Sequence, residues 1–149
     1  MKPYILVVDD EPEIRNTVSD ILEDEGFEIE TAEDGGTARH AYQARRPDLI
    51  LLDIWMPDID GITLLKEWAD AGEAEALPII MMSGHGTVET AVEATRLGAY
   101  DFLEKPLSLA KLLLTLNNAL KASRLKQENL TLQKDRPTSI TQPTGKSSL

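Results

Sequence analysis

Apolar residues along the first 120 positions come in short continuous runs separated by amphipathic stretches. Tyr4 to Val8 (YILVV) reads as a strand buried on both faces. Pro12 to Glu25 reads as a helix with Ile14, Val18, Ile21 and Leu22 on one face. Asp10 is placed to cap that helix, Pro12 suits its first turn and Gly26 its end. A strand over Phe27 to Thr31 follows, then a helix over Gly36 to Arg45 that Pro47 ends. Asp48 to Leu52 is a third strand, and the next helix carries Leu64, Leu65 and Trp68. Pro78 to Met82 is a fourth strand, before a helix with apolar Val88, Ala91 and Val92. Ala99 to Leu103 is a short fifth strand, and Leu109, Leu112, Leu113, Leu116 and Leu120 mark a last helix by their spacing. Parallel strands need crossovers, so five strand–helix repeats predict an α/β fold: a five-stranded parallel sheet with helices on both faces.

The last helix is expected to run on past Leu120, because KASRLKQENLTLQK has no Gly or Pro and is built of helix formers. Leu125 and Leu132 lie one heptad apart, while Ser123 and Gln127 interrupt the leucine seam; a short coiled-coil contact and a solvated extension both fit. The closing PTSITQPTGKSSL is polar and linker-like. Its TGKSS is not a phosphate-binding loop, since Ile140 stands where such a loop needs its first glycine. The chain thus divides into a domain over 1–120, a linker helix over 121–134 and a flexible tail over 135–149.

Composition narrows the classes. There is no cysteine, which excludes disulfides and thiolate metal sites. No apolar run approaches the roughly 18 residues of a membrane span, and MKPYILVVDDE lacks the features of a signal peptide, so a cytoplasmic protein without membrane attachment is expected. Residues 1–120 hold nine Lys and Arg against 24 Asp and Glu, whereas residues 121–149 hold six against two. A body this acidic repels phosphates, which argues against direct nucleic-acid binding.

In open parallel sheets function gathers at the carboxyl ends of the strands. Those ends offer Asp9 and Asp10, then Asp53, then Ser83, then Lys105 with Pro106. If the first and third strands are neighbours, three carboxylates converge and repel unless protons or a cation are held between them. Hard oxygen donors without His or Cys favour Mg²⁺. Asp58 and Asp60 read as turn residues preparing Gly61 rather than as ligands. His40 lies in a helix of ordinary surface composition.

Taken together, VVDDEP, LLDIWMPDIDG, MMSGHG and DFLEKP are very similar to the signature of the receiver domain of bacterial two-component response regulators, over roughly residues 3–120. The resemblance implies a flavodoxin-like, CheY-like receiver that acts as a regulatory phosphoacceptor, limited to Mg²⁺-dependent self-phosphorylation and autodephosphorylation. It implies Asp53 as the acceptor of a phosphoryl group from a sensor histidine kinase. It implies Asp9, Asp10, Asp53 and the main-chain carbonyl of Trp55 as Mg²⁺ ligands. Lys105 and Ser83 would bind the phosphoryl group, Phe102 would be the mobile aromatic ring, and the Lys105–Pro106 bond would be cis. Trp55 and His85 are candidate modulators of the phosphoryl lifetime. Two positions depart from the commonest pattern: Phe102 replaces a frequent Tyr, and Ser83 replaces an equally familiar Thr.

LKQENLTL resembles the linker of NtrC-type, sigma-54-dependent activators, including the NtrX group, in which the receiver precedes ATPase and DNA-binding domains. Those effector domains are missing from this chain. The resemblance implies a homodimer through the face of the fourth helix, fifth strand and fifth helix. The alternative is a stand-alone receiver acting as a phosphorelay intermediate or by binding a target protein. Two other classes fit worse. A haloacid dehalogenase needs D-x-D-x-T, which VVDDEPE lacks, and a dinucleotide site needs glycines where DDEP stands.

Overall fold

The computed structural model describes residues 2–70, 77–84 and 88–135, with side chains as far as residue 125. Five strands, β1 (Tyr4–Val8), β2 (Glu28–Ala32), β3 (Leu49–Asp53), β4 (Ile79–Ser83) and β5 (Asp101–Glu104), alternate with helices α1 (Pro12–Asp24), α2 (Gly35–Ala44), α3 (Gly61–Asp70), α4 (Val88–Arg96) and α5 (Leu109–Asp135). All pairings are parallel and the strand order is β2-β1-β3-β4-β5. The order reverses beside β1, so β1 and β3 lie side by side at the switch point where such sheets form their crevice.

Strands β1, β3 and β4 are buried throughout, as their aliphatic runs demand. Alternate residues serve opposite faces. Ile5, Val7, Leu49, Leu51, Ile80 and Met82 pack with Val18 and Leu22 of α1 and Leu112 and Leu116 of α5. Leu6, Val8, Ile50, Leu52, Ile79 and Met81 pack with Ala38 of α2, Leu64, Leu65 and Trp68 of α3, and Ala94 of α4. Each fully buried leucine or isoleucine stabilises the fold by roughly 1.5–3 kcal/mol.

Several boundaries lie one or two residues from those the apolar runs suggest, and hydrogen bonds account for the differences. The Phe27 N–H bonds to the Leu22 carbonyl and closes α1, which delays β2 to Glu28. The Ala99 N–H bonds to the Ala94 carbonyl and closes the α4 turn, which delays β5 to Asp101. Strands β3 and β4 continue past their aliphatic residues, because Asp53 still pairs with Met82 and Ser83 with Glu104. Polar residues thus end both strands.

One expectation needs correction. Asp10 does not cap α1: the N-cap is Glu11, whose side chain makes no capping bond. The Glu11 N–H goes instead to Asp9 Oδ1 at 2.9 Å, and Pro12 then begins the helix. In α4 the apolar Val88 and Val92, which the sequence reading assigned to no face, are 81% and 52% exposed, while Ala94 is buried and Leu97 packs against the core. The buried position of this short helix is the small Ala94. Helix α5 runs without interruption to Asp135, well past Leu120.

Candidate functional site

Asp9 directly follows β1 and Asp53 ends the adjacent β3, where Val8 is in register with Leu52. Both carboxylates are therefore brought to the rim of the crevice by buried strands, and both residues are themselves buried. Asp10 and Glu11 follow on the exposed β1–α1 turn. One carboxylate oxygen from each of Asp9, Asp10, Glu11 and Asp53 lies within 4.8 Å of the others. Arg15, one turn into α1, donates from Nη1 to the Asp9 carbonyl at 2.7 Å and ties the turn down.

Lys105 is the cation facing this cluster. Its Nζ stands 2.8 Å from Asp9 Oδ2, 3.0 Å from Glu11 Oε1 and 3.4 Å from Asp53 Oδ2. The Glu11 contact is a hydrogen bond. Asp9 Oδ2 is buried, and its contact with Lys105 is an ion pair at close range. Burial disfavours the charged ammonium, but the carboxylates of Asp9, Glu11 and Asp53 outweigh it and hold the Lys105 pKa above its ordinary value. The Asp53 carboxyl is pushed up from 3.8 to about 7, first by burial and then by the charge of Asp9, with Lys105 pulling the other way.

Ser83 and Lys105 follow at the ends of the neighbouring strands β4 and β5. Ser83, fully buried, ends β4, and its carbonyl accepts the Lys105 N–H at 2.9 Å. The Lys105–Pro106 peptide bond is cis. Phe102 lies half-buried on β5, packed against the core on one side and lining a groove of about 600 Å³ with Val88, Ala91 and Val92 on the other. Trp55, 55% exposed, follows β3 on the rim. His85 lies outside the described residues.

The loop from Ile54 to Gly61 is fastened at both ends. Its Gly61 N–H bonds to the Ile54 carbonyl at 2.7 Å, and a side chain at Gly61 would collide with the Asp53 carbonyl oxygen. Asp60 accepts the Thr63 N–H at 2.7 Å and caps α3. Asp58 reaches across to a different helix: its two oxygens accept the N–H groups of Gly35 and Gly36 at the start of α2, each at 2.9 Å. These backbone bonds hold the Asp58 carboxyl below the usual carboxylate range. Neither Asp58 nor Asp60 belongs to the acidic cluster, although Asp58 does more than shape a turn.

The donor set suits a small hard cation. It consists of carboxylate oxygens without His or sulfur, two of them on buried residues, and the Asp9 charge adds to burial in raising the Asp53 pKa. Sequence reasoning had passed over Glu11, which the run DDE displayed beside its two chosen neighbours. No sequence pattern pointed to the roles of Arg15 or Asp58.

Residues 5–117 match the family model described as the response regulator receiver domain. The chain belongs to that family. The receiver is 47% identical over 126 residues to the nitrogen assimilation regulatory protein NtrX of Azorhizobium caulinodans, covering 83% of this chain and 27% of that protein. It is also similar to the crystal structure of the receiver domain of NtrX from Brucella abortus, with 49% identity, a TM-score of 0.73, and coverage of 78% of this chain and 98% of that one. The beryllofluoride-activated NtrC4 receiver domain dimer, solved in solution, is 39% identical with a TM-score of 0.75, covering 80% of this chain and 98% of that chain. The receiver is thus a regulatory, phosphorylation-activated switch of the NtrC type, and it spans about a quarter of the length of the curated relatives it matches. Receivers of this type work with histidine kinases and dimerise, and receivers in general bind Mg²⁺. Among the described residues, no helix is long and apolar enough to cross a membrane.

Proposed function

We propose that Asp53 accepts a phosphoryl group from a sensor histidine kinase and that this shifts the α4–β5–α5 face. One observation carries the reading: a buried strand-end carboxylate, Asp53, shares a crevice with three other carboxylates and with the ammonium of Lys105. An Asp53 oxygen attacks the phosphorus of a phosphohistidine. The new oxygen–phosphorus bond forms as the phosphorus–nitrogen bond breaks, and the departing electron pair stays on the imidazole, which takes a proton from water.

Asp9, Asp10, Asp53 and the Trp55 carbonyl would hold Mg²⁺, whose charge would offset the repulsion between carboxylate and phosphoryl group. Lys105 supplies the second positive charge and favours the ionised, nucleophilic form of Asp53. The product carries about one extra negative charge. Ser83 donates its hydroxyl to a phosphoryl oxygen and draws the end of β4 inward, and the Phe102 ring moves into the space released. With no phenolic hydroxyl on Phe102, ring packing alone stabilises the second arrangement. Trp55 and His85 are the residues that tune the phosphoryl lifetime in this reading.

The altered face pairs two receivers. In this reading residues 1–120 are the switch, 121–134 a helical link and 135–149 a tail toward ATPase and DNA-binding effector domains of a sigma-54-dependent, cytoplasmic activator. Mass spectrometry after incubation with acetyl phosphate and Mg²⁺ tests the chemistry. One added phosphoryl group, absent from Asp53→Asn, is the expected result; addition that persists in that variant assigns the chemistry to another residue.

A further inference from the structure

We propose that Glu11 is a positioning residue that retains the Lys105 ammonium in the unphosphorylated receiver and yields it when Asp53 is phosphorylated. The inference rests on the reading of Asp53 as the phosphoacceptor. An ammonium has three N–H donors, and Lys105 has three carboxylates around it: Asp9 at 2.8 Å, Glu11 at 3.0 Å and Asp53 at 3.4 Å. The contact with the phosphoacceptor is the longest of the three. To serve a phosphoryl group on Asp53, Lys105 must loosen its hold on one of the others.

Burial decides which partner can be exchanged. The Asp9 side chain is wholly inaccessible at the end of a core strand, so leaving it without its cation would strand a desolvated charge. The Glu11 side chain is 58% exposed, stands on a long flexible stem and makes no capping bond to α1. Released from Lys105, its carboxylate returns to water at small cost. Once Asp53 carries a phosphoryl group, two anions compete for one ammonium, and the more highly charged and less solvated one takes it. Glu11 therefore opposes the phosphorylated state by an amount set by a half-exposed ion pair.

Three variants of the same chain test this. Glu11→Gln removes the charge. Glu11→Asp keeps the charge but shortens the stem by one methylene, which breaks the contact. Lys105→Met removes the object of the contact. In metal-free, unphosphorylated protein, the side-chain NMR resonances of Lys105 are expected to move in both Glu11 variants; unmoved resonances overturn the proposal.

At saturating Mg²⁺ and acetyl phosphate, phosphoryl incorporation is expected to rise about two- to fivefold in Glu11→Gln and Glu11→Asp alike, the range of an exposed ion pair. In the Lys105→Met background, Glu11→Gln should add nothing. A gain confined to Glu11→Gln, or one that survives without Lys105, reflects general charge on the approaching donor and sinks the idea. Incorporation that persists in Asp53→Asn defeats the reading of Asp53 separately, since the Lys105 resonances report the Glu11 contact without any phosphoryl group.

Discussion

The Lys105 ammonium stands nearer to Asp9, at 2.8 Å, than to Asp53, at 3.4 Å. In the metal-free state its first service is therefore to the fold, as counter-ion to a carboxylate that no water reaches. Replacing it with Met leaves Asp9, Glu11 and Asp53 crowded without a cation. Chemical denaturation in EDTA at pH 8 should show a loss of about 3 kcal/mol, as expected for one partner removed from a buried pair. The loss should shrink toward pH 6, as Asp53 takes up a proton. An equal loss at both values would place the destabilisation in packing rather than charge.

The raised Asp53 pKa has its own signature. In the unfolded chain this carboxyl titrates near 3.8, whereas in the folded protein it holds its proton until about 7. The folded state thus binds more protons between those values, and metal-free stability should fall as pH rises from about 4 to about 7, then level off. Asp53→Asn removes this dependence and should be the more stable protein at pH 8, by at most about 4 kcal/mol for a shift of roughly three pK units. Urea denaturation of both proteins from pH 4 to 8 checks the sign. Parallel curves would mean that Asp53 is not desolvated as described.

Much of this was legible in the chain. YILVV, LILL and PIIMM carry aliphatic runs that only a doubly covered sheet can bury, and acids at the ends of such runs announce a site. Legibility failed where polar backbone bonding, rather than apolar patterning, set the outcome. Apolarity marked where β3 and β4 are buried, yet their ladders run one residue further and draw Asp53 and Ser83 into the sheet. The exposure of Val88 and Val92 was hidden because Ala94, too small to dominate a periodicity, turned out to be the inward anchor. Asp58 was opaque for another reason: its partners, Gly35 and Gly36, lie more than twenty residues away in sequence.

That Asp58 bridge predicts coupling between two loops. Asp58→Ala strips the acceptors from the Gly35 and Gly36 amides and should speed their hydrogen exchange, while Asp58→Asn retains one acceptor oxygen and should do so less. The neighbouring contact is steric: a side chain at Gly35 would collide with Ile59 Cγ2. Gly35→Ala should cost about 2 kcal/mol through overpacking. Ile59→Ala in the same molecule should recover a large part of that loss. Additive losses in the double mutant would show that the two residues do not meet.

The groove between α4 and β5 ties exposure to assembly. Val88 and Val92 sit on its rim with Phe102 inside, so apolar side chains face solvent on a helix whose inward positions are already filled. An exposed β-branched residue contributes little to folding, and Val92→Glu should alter stability by no more than about 0.5 kcal/mol. The same change sets a charge against apolar surface where two receivers would meet, and an unpaired charge in an interface core is costly. At protein concentrations too low for pairing, phosphoryl incorporation by Asp53 should be unchanged, because Val92 lies outside the acidic crevice. Light scattering with and without a phosphoryl mimic separates the effects: wild type should dimerise with the mimic and Val92→Glu should remain monomeric. Undiminished dimerisation in the variant would move the interface to another face of the receiver.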